Sequence, residues 1–391
     1  MIHFQRIRSW FPLIILTVAG FTFNTSELIP IGLLSDIAAD FGVTEAHAGL
    51  LITIYAWVVA LLSLPLTLYF SRVDFRKLML WIVALFFVSH IGSVLAQGYW
   101  TLMASRIGVA CAHSIFWSIA PPMAVRVTAD HSRATALSAL VAGGGIALVA
   151  GLPLGRVLGL LAGWRVTFAA LGVLAGLILF GLYRTLPSLP QKDASESRKH
   201  ILKDVLGSRP LLMIYLITAV MVTGHYIGYS YIEPFMYQVV HMQEEAITLT
   251  LCLFGMAGLF GSYLMSRYFQ RYPRKVILAA CFGLPVIMLM LLPSSHIHPG
   301  LLAILCVLWG LAITVYNIAF QNEVIIFAPD NSAVAMSIYS GIFNLGIGSG
   351  AFVGGMVCTR GAMADIGYIG GAIALSAAIY TLFRFIPRMK I

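Results

Sequence analysis

Apolar residues run along this chain in long, nearly uninterrupted stretches that short polar segments separate. Windows of roughly 20 apolar residues, the length that crosses a bilayer as a helix, recur twelve times. They cover residues 10–31, 46–70, 76–96, 99–123, 134–160, 164–186, 210–234, 246–268, 276–293, 299–321, 333–357 and 363–386. Because the connections are mostly short, no soluble domain fits between them. The pattern predicts an all-α membrane protein with twelve transmembrane helices.

The composition agrees with this pattern and excludes a soluble protein with a buried core. Hydrophobic residues make up 60% of the chain and charged residues 10%, with a net charge of +9. Such a charge could indicate a nucleic-acid partner, but the basic residues follow the predicted topology. They lie in the tails and in alternate loops, apart from Arg106, Arg156, Arg165 and Arg360. By the positive-inside rule, both termini are predicted to be cytoplasmic.

The two halves of the chain share features in the same order, at an offset of about 200 residues. The matched features are Gly151, Gly155 and Gly159 with Gly346, Gly350 and Gly354, Arg76-Lys77 with Arg274-Lys275, and Pro30 with Pro234. A polar stretch rich in Pro, Ser and charged residues lies between the halves. The repeat predicts a six-helix bundle over 1–186, a cytoplasmic linker over 187–209 and a second six-helix bundle over 210–391. Glycines four residues apart let two helices approach closely.

Several strings resemble the drug and sugar proton antiporter branch of the major facilitator superfamily, and within it the bacterial sugar efflux transporters. They are FNTSELIPIGLLSDIA (23–38), LITIYAWVVALLSLP (51–65), SRIGVACAHSIFWSI (105–119), GLPLGR (151–156), YSYIEPF (229–235) and SGIFNLGIGSGAFVGG (340–355). The resemblance implies two bundles that rock about a central site. It assigns packing and gating to Arg76, Lys77, Gly151, Pro153, Gly155, Gly346 and Gly350. The loop at 71–77 departs from the family pattern because it lacks glycines, and Leu152-Pro153 replaces the Gly-Pro that antiporters prefer.

Two ionisable residues, Glu27 and Arg106, lie inside apolar spans, where an isolated charge costs several kcal/mol. Such residues usually mark an ion or substrate pathway. In the resembling transporters, an acid on the first helix and an arginine on the fourth serve proton coupling, and Glu27 and Arg106 occupy the matching positions. The alternative is a fixed ion pair that joins two helices. His113 lies on the same helical face as Arg106 and either relays protons or donates a hydrogen bond between helices.

A sugar needs planar groups against its C–H faces and amides or carboxylates against its hydroxyls. The candidate substrate-binding residues are Asn24, Tyr55, Trp117, His225, Tyr226, Tyr229, Glu233, Asn317, Gln321, Tyr339 and Asn344. Aromatic residues are also common in the cores and interface belts of membrane proteins. Glu233 either gates the pathway or is simply solvated. The same set would suit amphipathic drugs.

No constellation typical of an enzyme active site or a metal site appears, and neither does a phosphate-binding Gly-rich loop. We therefore expect no enzymatic activity, no cofactor and no bound metal, with a proton gradient as the energy source. The resemblance implies proton-coupled efflux of arabinose-like sugars and thiogalactosides, and the choice of sugar over drug depends on that resemblance. The alternative is a multidrug/proton antiporter of the same superfamily. Expected partners are a small sugar, protons and the lipid bilayer, without nucleic acid, for a monomer in a bacterial inner membrane.

Overall fold

The computed structural model describes residues 2–70, 73–127, 133–189, 198–269, 271–329 and 332–389. The helices of the first half are α1 (Ile2–Gly32), α2 (Leu34–Phe41), α3 (Glu45–Ala48), α4 (Leu50–Tyr69), α5 (Phe75–Val94), α6 (Tyr99–Val127), α7 (Arg133–Ile146), α8 (Leu152–Ala162) and α9 (Trp164–Thr185). Those that follow are α10 (Arg198–Gly207), α11 (Arg209–Tyr229), α12 (Ile232–Pro234), α13 (Glu244–Tyr268), α14 (Pro273–Leu289), α15 (Leu291–Ile297), α16 (Pro299–Phe327), α17 (Ser332–Thr359) and α18 (Ile366–Tyr380).

The described part of the chain holds 11 helices that are long and apolar enough to cross a membrane, or 12 when α14 and α15 count as one span. Their order matches that of the apolar windows in the sequence. The prediction of an all-α membrane protein with twelve spans is therefore confirmed, with the ninth span formed by two helices rather than one.

The ninth predicted span, 276–293, is bent by 52° between α14 and α15. Pro293 lies four residues after Leu289, the last residue of α14. Proline has no backbone N–H to donate to the carbonyl four residues earlier, and its ring clashes with that carbonyl. The helix therefore ends at Leu289 and restarts at Leu291 in a new direction.

A π-helical turn, Ala147–Gly151, interrupts the fifth predicted span just before Pro153. Proline again removes one helical hydrogen bond, and a wider turn accommodates the loss. The glycines that follow lie against α1, because a Cβ at Gly151 would collide with Thr25 and one at Gly155 would collide with Ile29. Small residues thus allow α8 to contact α1 closely within the first half.

The corresponding glycine strip of α17 lies against α11. A Cβ at Gly350 would come within 2.5 Å of the Thr223 carbonyl oxygen and 2.6 Å of the Tyr226 Cβ. A Cβ at Gly346 would lie 2.8 Å from the Val222 Cβ. In both halves, the glycines spaced by four therefore bring the fifth span onto the first span of the same half.

Contacts divide the chain into two compact units. Unit 1 comprises Met1–Ile29 and Leu61–Asp193, and unit 2 comprises Pro30–Ala60 and Ala194–Ile391. The segment from Pro30 to Ala60, which the sequence repeat assigned to the first bundle, thus groups by contacts with the second half. Of the predicted linker at 187–209, residues 190–197 lie outside the described residues, and α10 forms within the remainder.

In unit 1, Asp74 joins the start of α5 to the segment that follows α9. One carboxylate oxygen accepts the backbone N–H groups of Arg76 at 2.9 Å and Lys77 at 3.3 Å. The other oxygen accepts the Ser188 hydroxyl at 2.9 Å and the Leu189 N–H at 2.8 Å. Burial raises the pKa of Asp74, but these hydrogen bonds outweigh it, so that the pKa lies below its ordinary value.

Arg76 and Lys77, the two basic residues at the start of α5, differ in their contacts. The Arg76 guanidinium donates to the Tyr183 carbonyl oxygen at 2.9 Å and lies 5.9 Å from the centre of the Tyr183 ring. Lys77 is exposed. Arg76 therefore links α5 to the end of α9 inside unit 1, and Arg72 of the same loop lies outside the described residues.

We predict that Asp74→Asn lowers the melting temperature (Tm) at neutral pH, because an amide offers only one acceptor oxygen in place of two. A carboxyl whose folded pKa is lowered stabilises the fold above its unfolded pKa of about 4, and the contribution is lost as pH falls through the folded value. The difference in Tm from wild type should therefore persist at pH 6 and shrink below about pH 4. Thermal unfolding of the detergent-solubilised protein measures it.

Asp365→Asn is the matched control, because Asp365 also precedes a helix but makes no side-chain cap hydrogen bond. It should leave Tm unchanged at both pH values. A constant difference between Asp74→Asn and wild type down to pH 3 would contradict the pH dependence.

We predict that Gly350→Ala destabilises the second half, because the added methyl group would overlap backbone and Cβ atoms of α11. Overpacking of this kind costs about 1–3 kcal/mol. Gly283→Ala is the control, since a Cβ there meets no atom within 4 Å and alanine favours a helix by about 1 kcal/mol over glycine. Tm should fall for Gly350→Ala and stay level or rise for Gly283→Ala; equal Tm values would contradict the close contact.

Candidate functional site

A cluster of polar and charged side chains lies inside unit 1, where α1 and α6 meet. Glu27 extends from α1, and its Oε2 lies 3.8 Å from Nε2 of His113 on α6. The His113 side chain is 5% exposed and the Glu27 side chain 19%. At this distance the carboxylate and the imidazole interact electrostatically without a direct hydrogen bond, and Glu27 is the more exposed of the two side chains.

Arg106 lies two turns before His113 on the same face of α6 and is 1% exposed. Its Nη1 donates to the Ser26 carbonyl oxygen at 2.9 Å and to the Ser26 Oγ at 3.1 Å. The guanidinium also lies 5.8 Å from the centre of the Phe168 ring. The cation interacts electrostatically with both Glu27 and His113. The structure therefore brings the three predicted proton-coupling residues into one site.

Ser26 extends this site to α5. Its Oγ lies 3.0 Å from the His90 Nε2, and the His90 Nδ1 lies 2.8 Å from the Phe86 carbonyl oxygen. Since a carbonyl only accepts, Nδ1 carries the hydrogen and Nε2 of a neutral ring accepts from the Ser26 hydroxyl. Sequence reasoning missed Ser26; its position directly before Glu27 was the available signal.

Aromatic rings form one wall of this site. Phe23 on α1 stacks on Phe116 with ring centres 4.3 Å apart, and it meets the His113 ring edge-on at 5.8 Å. Phe86 of α5 lies 4.0 Å from the Phe23 ring. This apolar wall limits water around the Glu27–His113 pair. The electrostatic interactions between Glu27, His113 and Arg106 are stronger in such a low-dielectric environment.

Two candidate substrate-binding residues of unit 1 lie near each other against α7. A Cβ at Gly144 would lie 2.6 Å from the Asn24 Nδ2 and 3.7 Å from the Trp117 Cη2. Both side chains are partly exposed. Because both atoms lie near the same glycine, an amide and an indole are close to each other. Asn24 is one turn from Glu27 on α1, and Trp117 lies on α6, so these side chains share helices with the proton-coupling candidates.

In unit 2, three candidates belong to a buried aromatic cluster. The His225 ring stacks on Tyr229 with centres 5.1 Å apart and meets Tyr226 edge-on at 4.8 Å. Phe254 also stacks on Tyr229, with ring centres 4.8 Å apart. The Trp309 indole N–H donates to the His225 Nδ1 at 2.9 Å, which makes Nδ1 an acceptor. Sequence reasoning missed Trp309, because no pattern along α16 indicated its partner on α11.

A second group in unit 2 joins α16 to α17. The Asn317 Oδ1 accepts both the Tyr339 hydroxyl and the Gln321 amide, each at 3.0 Å. Asn344, on α17, donates to the Ser340 carbonyl oxygen at 3.0 Å. Among the described residues, no hydrogen bond connects Asn344 to the trio of Asn317, Gln321 and Tyr339. Tyr55 is buried in α4, on the segment of unit 2 that comes from the first half.

Glu233 makes a different kind of contact. It is 1% exposed, and its Oε2 accepts the Ser35 hydroxyl at 3.0 Å and the Ser35 N–H at 3.3 Å. The carboxylate thereby caps the first turn of α2. Nearby, the Gln238 amide donates to the Glu45 carboxylate at 2.6 Å. The burial of Glu233 excludes the alternative that its side chain is solvated. Its hydrogen bonds to Ser35 join the segment after α11 to residues 30–60.

Comparison with known proteins supports the same fold. The family model described as Major Facilitator Superfamily matches residues 14–351. A bacterial homolog of the human lysosomal transporter Spinster, in an inward-facing and unoccupied conformation, has a TM-score of 0.70 at 18% identity, with 97% of this chain and 93% of that chain covered.

Two further solved structures are similar. A mutant of the nucleoside transporter NupG has a TM-score of 0.77 at 11% identity, covering 95% of this chain and 99% of that one. A mutant of the peptide transporter POT, in complex with alafosfalin, has a TM-score of 0.75 at 12% identity, covering 97% of this chain and 96% of that one. At these identities the likeness shows the fold alone. The family match spans most of the chain, so this protein belongs to the Major Facilitator Superfamily and is a membrane transporter rather than an enzyme.

Proposed function

We propose that the protein exports small neutral sugars, of the arabinose and thiogalactoside kind, from the cytoplasm in exchange for protons by alternating access. The observation that carries the proton-coupled part is the Glu27–His113 contact at 3.8 Å beside the buried Arg106. The sugar part is supported by the sequence resemblance and by the amide and aromatic candidates of both units.

The geometry suits proton exchange because it combines a permanent cation with a group that can lose its charge. When Glu27 is ionised, its negative charge compensates the positive charge of Arg106. When a proton binds to the Glu27–His113 pair, the net charge of the site becomes more positive by one. A site whose charge changes by one on protonation responds to both the pH gradient and the membrane potential. Arg106, sealed at 1% exposure, keeps its charge throughout.

One proton is sufficient for this task. A charge that crosses the membrane releases about 2.3 kcal/mol per 100 mV, and a tenfold concentration ratio corresponds to about 1.4 kcal/mol. Each 100 mV therefore supports a sugar gradient of about fortyfold when one proton enters for each neutral sugar that leaves.

Each unit, taken by itself, carries candidates for cargo contacts. Asn317, with Gln321 and Tyr339 on its Oδ1, presents amide and hydroxyl groups that match neighbouring sugar hydroxyls. Trp117 and Asn24 offer a ring face and an amide. The rings of the His225–Tyr229 cluster are buried and pack against one another. We therefore propose that this cluster supports neighbouring cargo-binding side chains rather than contacting the sugar itself. The proposal includes cytoplasmic termini, a monomer, no cofactor and a bacterial inner membrane.

We predict that Glu27→Gln abolishes export driven by a pH gradient, because an amide cannot take up the proton. Inside-out vesicles given labelled arabinose under an imposed pH gradient should accumulate the sugar with the wild-type protein and not with this variant. Glu245→Gln, an exposed acid of unit 2, is the control and should behave as wild type. Gradient-driven accumulation by Glu27→Gln at the wild-type rate would remove Glu27 from the coupling site.

We predict that Asn317→Ala weakens sugar binding about tenfold, since the loss of one hydrogen-bonding group in a polar site is worth about 1–1.5 kcal/mol. The half-saturating sugar concentration in vesicle uptake measures the change. Asn322→Ala, a neighbouring amide of α16, is the control and should leave it unaltered. If the wild-type vesicles accumulate ethidium-like cations and no sugar, the protein is a drug antiporter instead.

A further inference from the structure

Three buried side chains, those of His90, Ser26 and Arg106, connect α5 to the proposed proton site. We infer that His90 and Ser26 are positioning residues that fix the Arg106 guanidinium beside the Glu27–His113 pair, and so set the pH at which that pair exchanges its proton. The inference rests on the proposed function and deepens it, because it assigns the control of the site to residues that do not touch the proton or the cargo.

The geometry is continuous from helix to helix. His90 and Ser26 are fully buried and Arg106 is 1% exposed. The chain runs from the Phe86 carbonyl oxygen to the His90 Nδ1 at 2.8 Å, and from the His90 Nε2 to the Ser26 Oγ at 3.0 Å. It ends at the Arg106 Nη1, 3.1 Å from the same Oγ. Each link is within hydrogen-bond distance.

The direction of these bonds gives His90 its role. Arginine only donates, so the Ser26 Oγ accepts from Arg106 and its own hydrogen points away, toward the His90 Nε2. That nitrogen can accept because Nδ1 holds the ring hydrogen against the Phe86 carbonyl. Neutral His90 therefore keeps the Ser26 hydrogen directed away from Arg106, so that a lone pair of Oγ stays available to the guanidinium. Without this acceptor, the hydroxyl can turn to a carbonyl of its own helix.

Among the described residues, the charged and titratable groups near these side chains include Glu27 on α1, His90 on α5, and Arg106 and His113 on α6, while α9 contributes the Phe168 ring. Helix α8, which packs on the same stretch of α1, carries the fully buried Arg156. Ser26 and Glu27 are adjacent along α1, so a movement of the guanidinium away from the Ser26 Oγ changes its distance from the carboxylate. The charge of Arg106 favours ionised Glu27, and a less fixed cation favours it less.

The test compares pH profiles of sugar export in inside-out vesicles. Ser26→Ala removes the hydroxyl, and His90→Leu removes its acceptor. Each should move the midpoint of the profile to higher pH by about half a unit, and the double variant should shift it no further, because both changes break one chain. His90→Gln, whose amide oxygen can accept from Ser26, should restore the wild-type midpoint.

Thr22→Val is the matched control. Thr22 is a buried hydroxyl one turn before Ser26 on α1, and it donates to the Val18 carbonyl of its own helix. Its removal disturbs the same helix without reaching Arg106, so the midpoint should stay at the wild-type pH. A shift equal to that of Ser26→Ala would indicate a general packing effect and overturn the inference.

A measurement on the wild-type protein keeps the inference testable even if the variants fold poorly. Nitrogen-15 NMR of histidine-labelled full-length protein in nanodiscs should show His90 as a neutral ring with the hydrogen on Nδ1 at pH 7. The opposite tautomer or a doubly protonated ring would overturn the inference. If Glu27→Gln abolishes pH-driven export while Ser26→Ala and His90→Leu leave the midpoint unchanged, the proposed function stands and the positioning role falls; wild-type export independent of pH would remove both.

Discussion

The burial of Arg106 within a membrane-spanning helix is the constraint on which the rest of the site depends. A guanidinium cannot lose its proton, so in a low-dielectric environment it needs acceptors and a compensating charge. The Ser26 carbonyl and hydroxyl supply the acceptors, and Glu27, the next residue along α1, supplies the charge. Because both come from the same turn of α1, one helix-helix contact places an ionisable carboxylate where it interacts electrostatically with a fixed cation.

Close helix contacts make that precision possible. Gly151 and Gly155 let the start of α8 lie directly on Thr25, one residue before Ser26, and on Ile29, two residues after Glu27 on α1. This turn of α1 is therefore enclosed by the backbone of α8 on one side and by α5 and α6 on the other. The glycine strip of α17 brings the same closeness to α11 in the second half. A motif that the sequence marks as small residues at a spacing of four thus serves to hold the first helix of each half.

The sequence predicted the spans well, because hydropathy over 20 residues reflects the bilayer itself. It also predicted Glu27, Arg106 and His113 as one group, since ionisable residues in apolar runs are visible in the sequence, and the structure brings the three together; their role in coupling stays a prediction. It did not predict the bend after Leu289, which depends on how one proline is accommodated. Nor did it indicate Ser26 or Trp309, whose roles come from partners on other helices. The position of Ser26 directly before Glu27 was the one available signal, and no pattern along α16 indicated the partner of Trp309.

The grouping of residues 30–60 with the second half bears on how the transport cycle could be driven. Glu233 holds Ser35 by two hydrogen bonds, and Gln238 holds Glu45 by one. Hydrogen bonds to charged groups contribute about 1.5–3 kcal/mol each, so the three together contribute about 4.5–9 kcal/mol. One proton crossing 200 mV releases about 4.6 kcal/mol, at about 2.3 kcal/mol per 100 mV, which is the lower end of that range. Contacts of this strength can hold the segment in place between cycles and still be released by the proposed energy source.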